Sequence, residues 1–219
     1  MNFTKTSLLI LTAATLLLAG CAATQPQPYA GVQSSPQLRA NTGDDADKIP
    51  YAYAPPVRWA NYKAVWIEPV AVYAGADNQF DGLSDAEKTE LARDMQSAFE
   101  KSLRARFQIV NAPTPGALRL RLTLTGAKTN TAVVSTVTRF DLAGGPINIV
   151  QGIRGKEGVF IGSVNYSAEV FDATDNRLLK AFIAKQYPNA MNVGATVGRL
   201  AAAKTGIDKG AEDMLKQLQ

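Results

Sequence analysis

Residues 118–125 read Leu118-Arg119-Leu120-Arg121-Leu122-Thr123-Leu124-Thr125. Apolar and polar residues alternate at every step. Successive side chains of a strand point to opposite faces, so the four leucines share one face and the arginines and threonines the other. A helix would wrap the same leucines around all sides, and strict alternation excludes it. The expectation is a half-buried strand with a leucine face on the core and a wet face outward.

Upstream of that strand lies the clearest helix signal. Ser84-Asp85-Ala86-Glu87 has the spacing of a capping box, in which Ser84 receives the Glu87 amide and Glu87 reaches back. From there to about Arg106, Leu91, Met95, Phe99 and Leu103 recur every fourth residue beside Ala92 and Ala98, giving one apolar face. Lys88, Arg93, Glu100, Lys101 and Arg104 fall on the other. Tyr62 to Tyr73 (YKAVWIEPVAVY) is rich in β-branched and aromatic residues and predicts a strand, with an edge position or bulge at Pro69. Phe107 to Val110 predicts a short strand closed by Pro113 and Pro115-Gly116.

Residues 158–171 alternate through Val164, Tyr166, Ala168 and Val170. Asp172 to Asn176 supplies a turn, and Arg177 to Tyr187 the returning arm. Ala195 to Gln219 predicts a second amphipathic helix on Leu200, Ile207, Ala211, Met214 and Leu218, with Gly206 and Gly210 as weak points. The order is β-α-β-β-β-β-α. The expected class is α+β, a mostly antiparallel sheet with two amphipathic helices packed on one face.

The N-terminus has a different composition. Lys5 precedes the apolar run Leu8 to Leu18, which is too short to span a bilayer and has signal-peptide length. It ends in Leu18-Ala19-Gly20-Cys21, which resembles the lipobox of bacterial lipoproteins. That resemblance implies cleavage after residue 20 and acylation, palmitate included, of Cys21. Ala22 rather than Asp follows, which by resemblance to enteric sorting implies the outer membrane. Residues 21–60 hold six of the eleven prolines. No apolar period is visible among them, which predicts a disordered or extended acylated tether reaching roughly 35 Å. Tyr51-Ala52-Tyr53 is the expected first touch on a periplasmic domain of residues 61–219.

The lipobox, the 62–73 strand, the Gly82-Leu83-Ser84 helix start and the Leu118-Arg119-Leu120-Arg121-Leu122 strand together resemble a Gram-negative lipoprotein family. That family is known only as a domain of unknown function, with a YKxVxIxPVxVY-type opening. The resemblance covers roughly residues 60–218. It implies an envelope location and an α+β fold, and it carries no catalytic residue.

The 219-residue chain has no histidine and one cysteine. Nucleophile–imidazole pairs, imidazole metal ligands, disulfides within the chain and Cys₄ clusters are excluded. Its 23 Lys+Arg against 19 Asp+Glu leave a charge of +4 with no basic stripe, so nucleic acid is not an expected partner. Asp77, Asn78, Asp81 and Asp85 lack the alternate spacing of a calcium loop and suit a loop and helix start. Asp172 and Asp175 suit a turn, although Glu68 and Glu169 could face each other across strands. Gly152, Gly155 and Gly158 have the wrong spacing for a dinucleotide loop. Trp59, Tyr62, Trp66 and Tyr73 fit core and strap packing better than a glycan platform. No metal or cofactor is expected.

Leu142 to Ile153 (LAGGPINIVQGI) carries no charge. Its Ile147, Ile149, Val150 and Ile153 form a candidate partner patch in an otherwise connecting segment. The expected function is that of a non-enzymatic, lipid-anchored, periplasm-facing lipoprotein of the outer membrane. Its expected partners are the membrane, through Cys21, and an envelope protein or glycan. The alternatives are a carrier of a small amphiphile and a His-free hydrolase.

Overall fold

A computed structural model describes residues 25–130, 162–189, 192, 195 and 197–219. The lipobox with Cys21, the glycines 152, 155 and 158, and the patch Ile147, Ile149, Val150 and Ile153 lie outside the described residues. Among the described residues, nine strands and two α-helices follow in chain order. The strands are β1 (Arg39–Ala40), β2 (Tyr51–Tyr53), β3 (Ala64–Ile67), β4 (Ala71–Val72) and β5 (Gln79–Asp81), then β6 (Gln108–Val110), β7 (Ala117–Lys128), β8 (Ser163–Asp172) and β9 (Leu178–Gln186). Helix α1 (Asp85–Leu103) lies between β5 and β6, and helix α2 (Ala201–Gln217) follows β9.

The nine strands form one sheet in the order β1-β2-β9-β8-β7-β3-β6, with β4 and β5 also paired to β7. The long ladders β7–β8 and β8–β9 are antiparallel, while β3, β4 and β5 run parallel to β7. The fold is α+β, and the expected element order broadly holds from β3 onward, except that the 62–73 strand is split into β3 and β4 and a short strand β5 falls where a loop was expected. Pro69 acts as expected of a bulge. Ile67 pairs with Leu120 and Ala71 with Thr123. Four steps on one strand therefore match three on the other, and the extra residue is absorbed where proline lacks a ladder donor.

The leucine face of β7 meets both helices. Leu118, Leu120, Leu122 and Leu124 join Val164, Tyr166, Ala168 and Val170 of β8 and Leu91, Met95 and Phe99 of α1 in one core. Phe99 is fully buried and meets the Tyr166 ring edge-on at 5.7 Å. The capping box forms as its spacing predicts, with the Ser84 hydroxyl accepting from the Glu87 amide and Glu87 accepting from the Ser84 amide. Helix α2 lies unusually close to the sheet, which explains its glycines. A Cβ on Gly206 would sit 2.8 Å from the Gln186 carbonyl oxygen, and one on Gly210 would collide with the Tyr166 hydroxyl. The cost in helix propensity is accepted because the backbone can then approach the strands directly.

Two expectations are corrected. Residues 25–60 are not a disordered tether over their described length. Tyr29, Val32 and Leu38 are buried against Ala181 and Ile183 of β9, and β2 pairs with β9 through Tyr51–Ile183 and Tyr53–Ala181. The second correction follows from the first. The arginine–threonine face of β7 is not wet, because this N-terminal strap covers it: Thr123 and Thr125 are buried. Proline content signals an irregular backbone, not absence of packing. A few apolar anchors at irregular spacing hold the strap without leaving a period to detect.

Candidate functional site

Beneath the strap the sheet carries a chain of charges. Glu68 pairs with Arg119 at 3.1 Å and with Arg121 at 3.0 Å, and Arg121 reaches Glu169 at 3.8 Å. Glu169 is 1% exposed and accepts the Ser34 amide at 2.7 Å, while Gln33 accepts from Arg121. The Arg119 guanidinium stacks 4.4 Å over Phe171. Glu68 and Glu169 thus come to one region, as their strand positions allowed, but each is engaged by arginine. The arrangement fastens the strap to β7 and β8. A buried carboxylate so held is costly to strip of its partners.

The acidic residues of the β4–β5 loop and helix start separate in the same way. Asp77 accepts from the Ala30 amide at 2.9 Å and from the Tyr73 hydroxyl at 2.7 Å. These bonds, the amide first, hold its carboxyl below the ordinary range. Asp85 pairs with Lys88 at the start of α1. Among the described residues no group of three or more His, Cys, Asp or Glu could hold a metal ion. Asp172 and Asp175 cap the β8–β9 turn by accepting the Thr174 and Arg177 amides, and Asp172 also takes the Tyr62 hydroxyl.

The four aromatics do not share a platform, and Trp66 lines a groove beside α1. Tyr62 is in the helix-side core and Trp59 packs partly against it, whereas Tyr73 lies on the strap side, 5.4 Å from Tyr29. Burial pushes the Tyr29 hydroxyl up to about 12.

A groove of about 970 Å³ lies between α1 and the β6 edge of the sheet, open on one side. Its helical wall is Thr89, Ala92, Arg93, Gln96, Glu100 and Arg104. Steps of three and four put these residues on one stripe of α1. The other wall is mostly apolar, with Trp66, Ile67, Val70, Val72, Phe107 and Ile109 among its residues. Gln96 ties the walls together, its carbonyl accepting the Val70 amide at 3.1 Å while its NH₂ donates to Glu100 at 2.7 Å. Glu100 is also paired with Arg104, so Arg93 leaves the rim with a net positive charge.

The groove exists because β6 is only three residues long and pairs with β3 alone among the described strands. Helix α1 therefore overhangs the sheet edge. The Gln108 amide donates to the carbonyl of Lys63, just before β3. Alternation along a strand then turns the Ile109 N–H and C=O outward, free to pair. Sequence reading placed Arg93, Glu100 and Arg104 on a solvent face of the helix and missed the groove. The signal was the short Phe107–Val110 run closed by prolines, which marks a sheet edge.

No curated protein matches the chain. Several solved structures are similar at low identity. The PelC dodecamer from Paraburkholderia phytofirmans matches with TM-score 0.40 and 12% identity over 74% of this chain and 94% of that chain. A DUF330 family protein of Xanthomonas campestris matches with TM-score 0.37 and 9% identity over 74% and 87%. A DUF4136 family protein of Bacteroides thetaiotaomicron matches with TM-score 0.36 and 7% identity over 77% and 96%. With residues 28–214 matched by the family described as protein of unknown function (DUF3313), which takes in most of the strap as well as the sheet, α1 and most of α2, the chain belongs to that family.

Proposed function

We propose that the protein is a non-enzymatic lipoprotein of the outer membrane, anchored through acylated Cys21 and facing the periplasm. Its domain binds another envelope protein by taking an extended segment of it along β6. The observation that carries this reading is the groove: an unpaired strand edge runs beside an apolar wall. Such edges recruit strands through backbone hydrogen bonds, while adjoining pockets select the side chains. The wall sets aliphatic side chains beside Trp66 and Phe107, and the unpaired backbone edge next to it is a feature that an extended polypeptide can use and a glycan cannot. Its openness also favours a chain entering sideways over a small amphiphile enclosed on all sides.

The test places a photo-crosslinking residue at Gln108, on the exposed edge, in intact cells. Two background variants separate edge pairing from apolar contact. Ile109→Ala keeps the outward amide, whereas Ile109→Pro removes it, and both lose the isoleucine side chain. Adducts that survive Ile109→Ala in reduced amount and vanish in Ile109→Pro support strand addition. Equal adducts in both variants, each with an unchanged fold by circular dichroism, defeat it.

A further inference from the structure

The docked strap changes where the domain stands relative to the membrane. A free tether through residue 60 would hold it tens of ångströms away, but the described strap is packed almost from its start. Pro26 is buried, Gln27 accepts from the Tyr51 hydroxyl at 2.6 Å, and the Tyr29 hydroxyl donates to Gln79 at 3.0 Å. The amides of Ala30 and Gly31 are held by Asp77 and Tyr73. Four peptide steps separate Cys21 from Gln25, and four steps span at most about 15 Å.

We infer that the fold rests directly on the lipid surface, with the strap face near the β4–β5 loop toward the membrane and the helical face toward the periplasm. The inference rests on the lipoprotein reading of Cys21, and the partner is the bilayer itself. The sides are well separated. Tyr29 anchors beside Gln79, which pairs with Gly126 near the end of β7. The β8–β9 turn lies at the opposite end of a ten-residue strand, about 33 Å away at the rise of an extended chain. Helix α1 lies across the sheet from the strap's Tyr29, Val32 and Leu38, so the groove beside β6 opens on the side where a periplasmic protein can reach it.

Because the chain has one cysteine, its acylation leaves any introduced thiol as the only one free. Ala76→Cys, exposed in the β4–β5 loop, and Ser97→Cys, exposed on α1, would each carry a short-range fluorophore. The lipidated protein is reconstituted in phosphatidylethanolamine–phosphatidylglycerol vesicles containing nitroxide-headgroup lipid. The expected result is that the Ala76→Cys probe loses most of its emission while the Ser97→Cys probe keeps it. Inserting about twenty Gly and Ser residues between Thr24 and Gln25, a reach of about 25 Å, should restore the Ala76→Cys signal without releasing the protein from vesicles. Equal emission from the two probes in membrane-bound protein overturns the placement alone. An intact mass showing an unmodified Cys21 overturns the lipoprotein reading and the placement together.

Discussion

Phe99 shows how one side chain ties the layers together. It is fully buried on α1 and meets Tyr166 of β8, which in turn lies edge-on to Phe182 of β9 at 6.3 Å. Phe99→Ala should therefore destabilise the fold by about 3–5 kcal/mol, because neighbours held by both helices cannot collapse into the space. Chemical denaturation checks it, and a midpoint shift within error would contradict the packing. Asp77 makes a different kind of claim. Its carboxyl is held below its ordinary value near 3.8 by the Ala30 amide and the Tyr73 hydroxyl. A depressed carboxylate contributes stability above its unfolded value and loses it as pH falls through the folded one. Protection of the Ala30 amide against hydrogen exchange should therefore drop in acid below that value. In Asp77→Asn the protection should be weaker at neutral pH and flat across the same range.

At the scale of elements, the strap is the piece whose behaviour separates packing from composition. It contributes Tyr29, Val32 and Leu38 to a second apolar cluster. It also carries the Ser34 amide to Glu169 and adds β1 and β2 to the sheet beyond β9. Proteolysis needs a locally unfolded stretch, and a docked segment supplies one only by opening. Trypsin should leave Arg39 and Lys48 uncut under native conditions for as long as it leaves the helices uncut. Tyr29→Ala removes the largest anchor and should bring cleavage at both sites forward by orders of magnitude. Mass spectrometry of the early fragments reads the result, and rapid cutting of the unmodified protein would mean an undocked strap. Helix α2 is bound by a closer constraint. Gly206→Ala gains helix propensity but must displace the Gln186 carbonyl, so the expected net change is destabilising.

For the whole molecule, the helices cover one face of the sheet and the strap's Tyr29–Leu38 part the other, while Ile49 and Trp59 pack on the helix side. The charged chain Glu68–Arg121–Glu169 joins strap to strands with Arg121 still partly exposed. Among the described residues no helix is long and apolar enough to cross a membrane. The proposed membrane attachment therefore depends on Cys21. Two or more acyl chains bind a bilayer stably where one binds reversibly, each buried methylene adding about 0.8 kcal/mol. Cys21→Ala should leave an unprocessed chain without acyl mass, while the unaltered protein partitions into the detergent phase. Recovery of the unaltered protein as an unmodified soluble species would refute the anchor.

The sequence by itself determined the elements whose information is local. The Leu118–Leu124 alternation, the Ser84–Glu87 capping box and the four-residue recurrence from Leu91 to Leu103 each specify a strand, a cap or a helix face within one window. The residues those periods select are buried. Composition likewise removed histidine- and disulfide-based chemistry without any structure. Only the tertiary structure decided what depends on contacts far apart in the chain. Ser34 meets Glu169 across 135 residues and Gln33 meets Arg121 across 88. No local period records such pairs, so a polar strand face read as wet and a proline-rich segment read as loose. The groove beside β6 arises the same way, from a helix and a sheet edge that become neighbours only when the long strands set the width of the sheet.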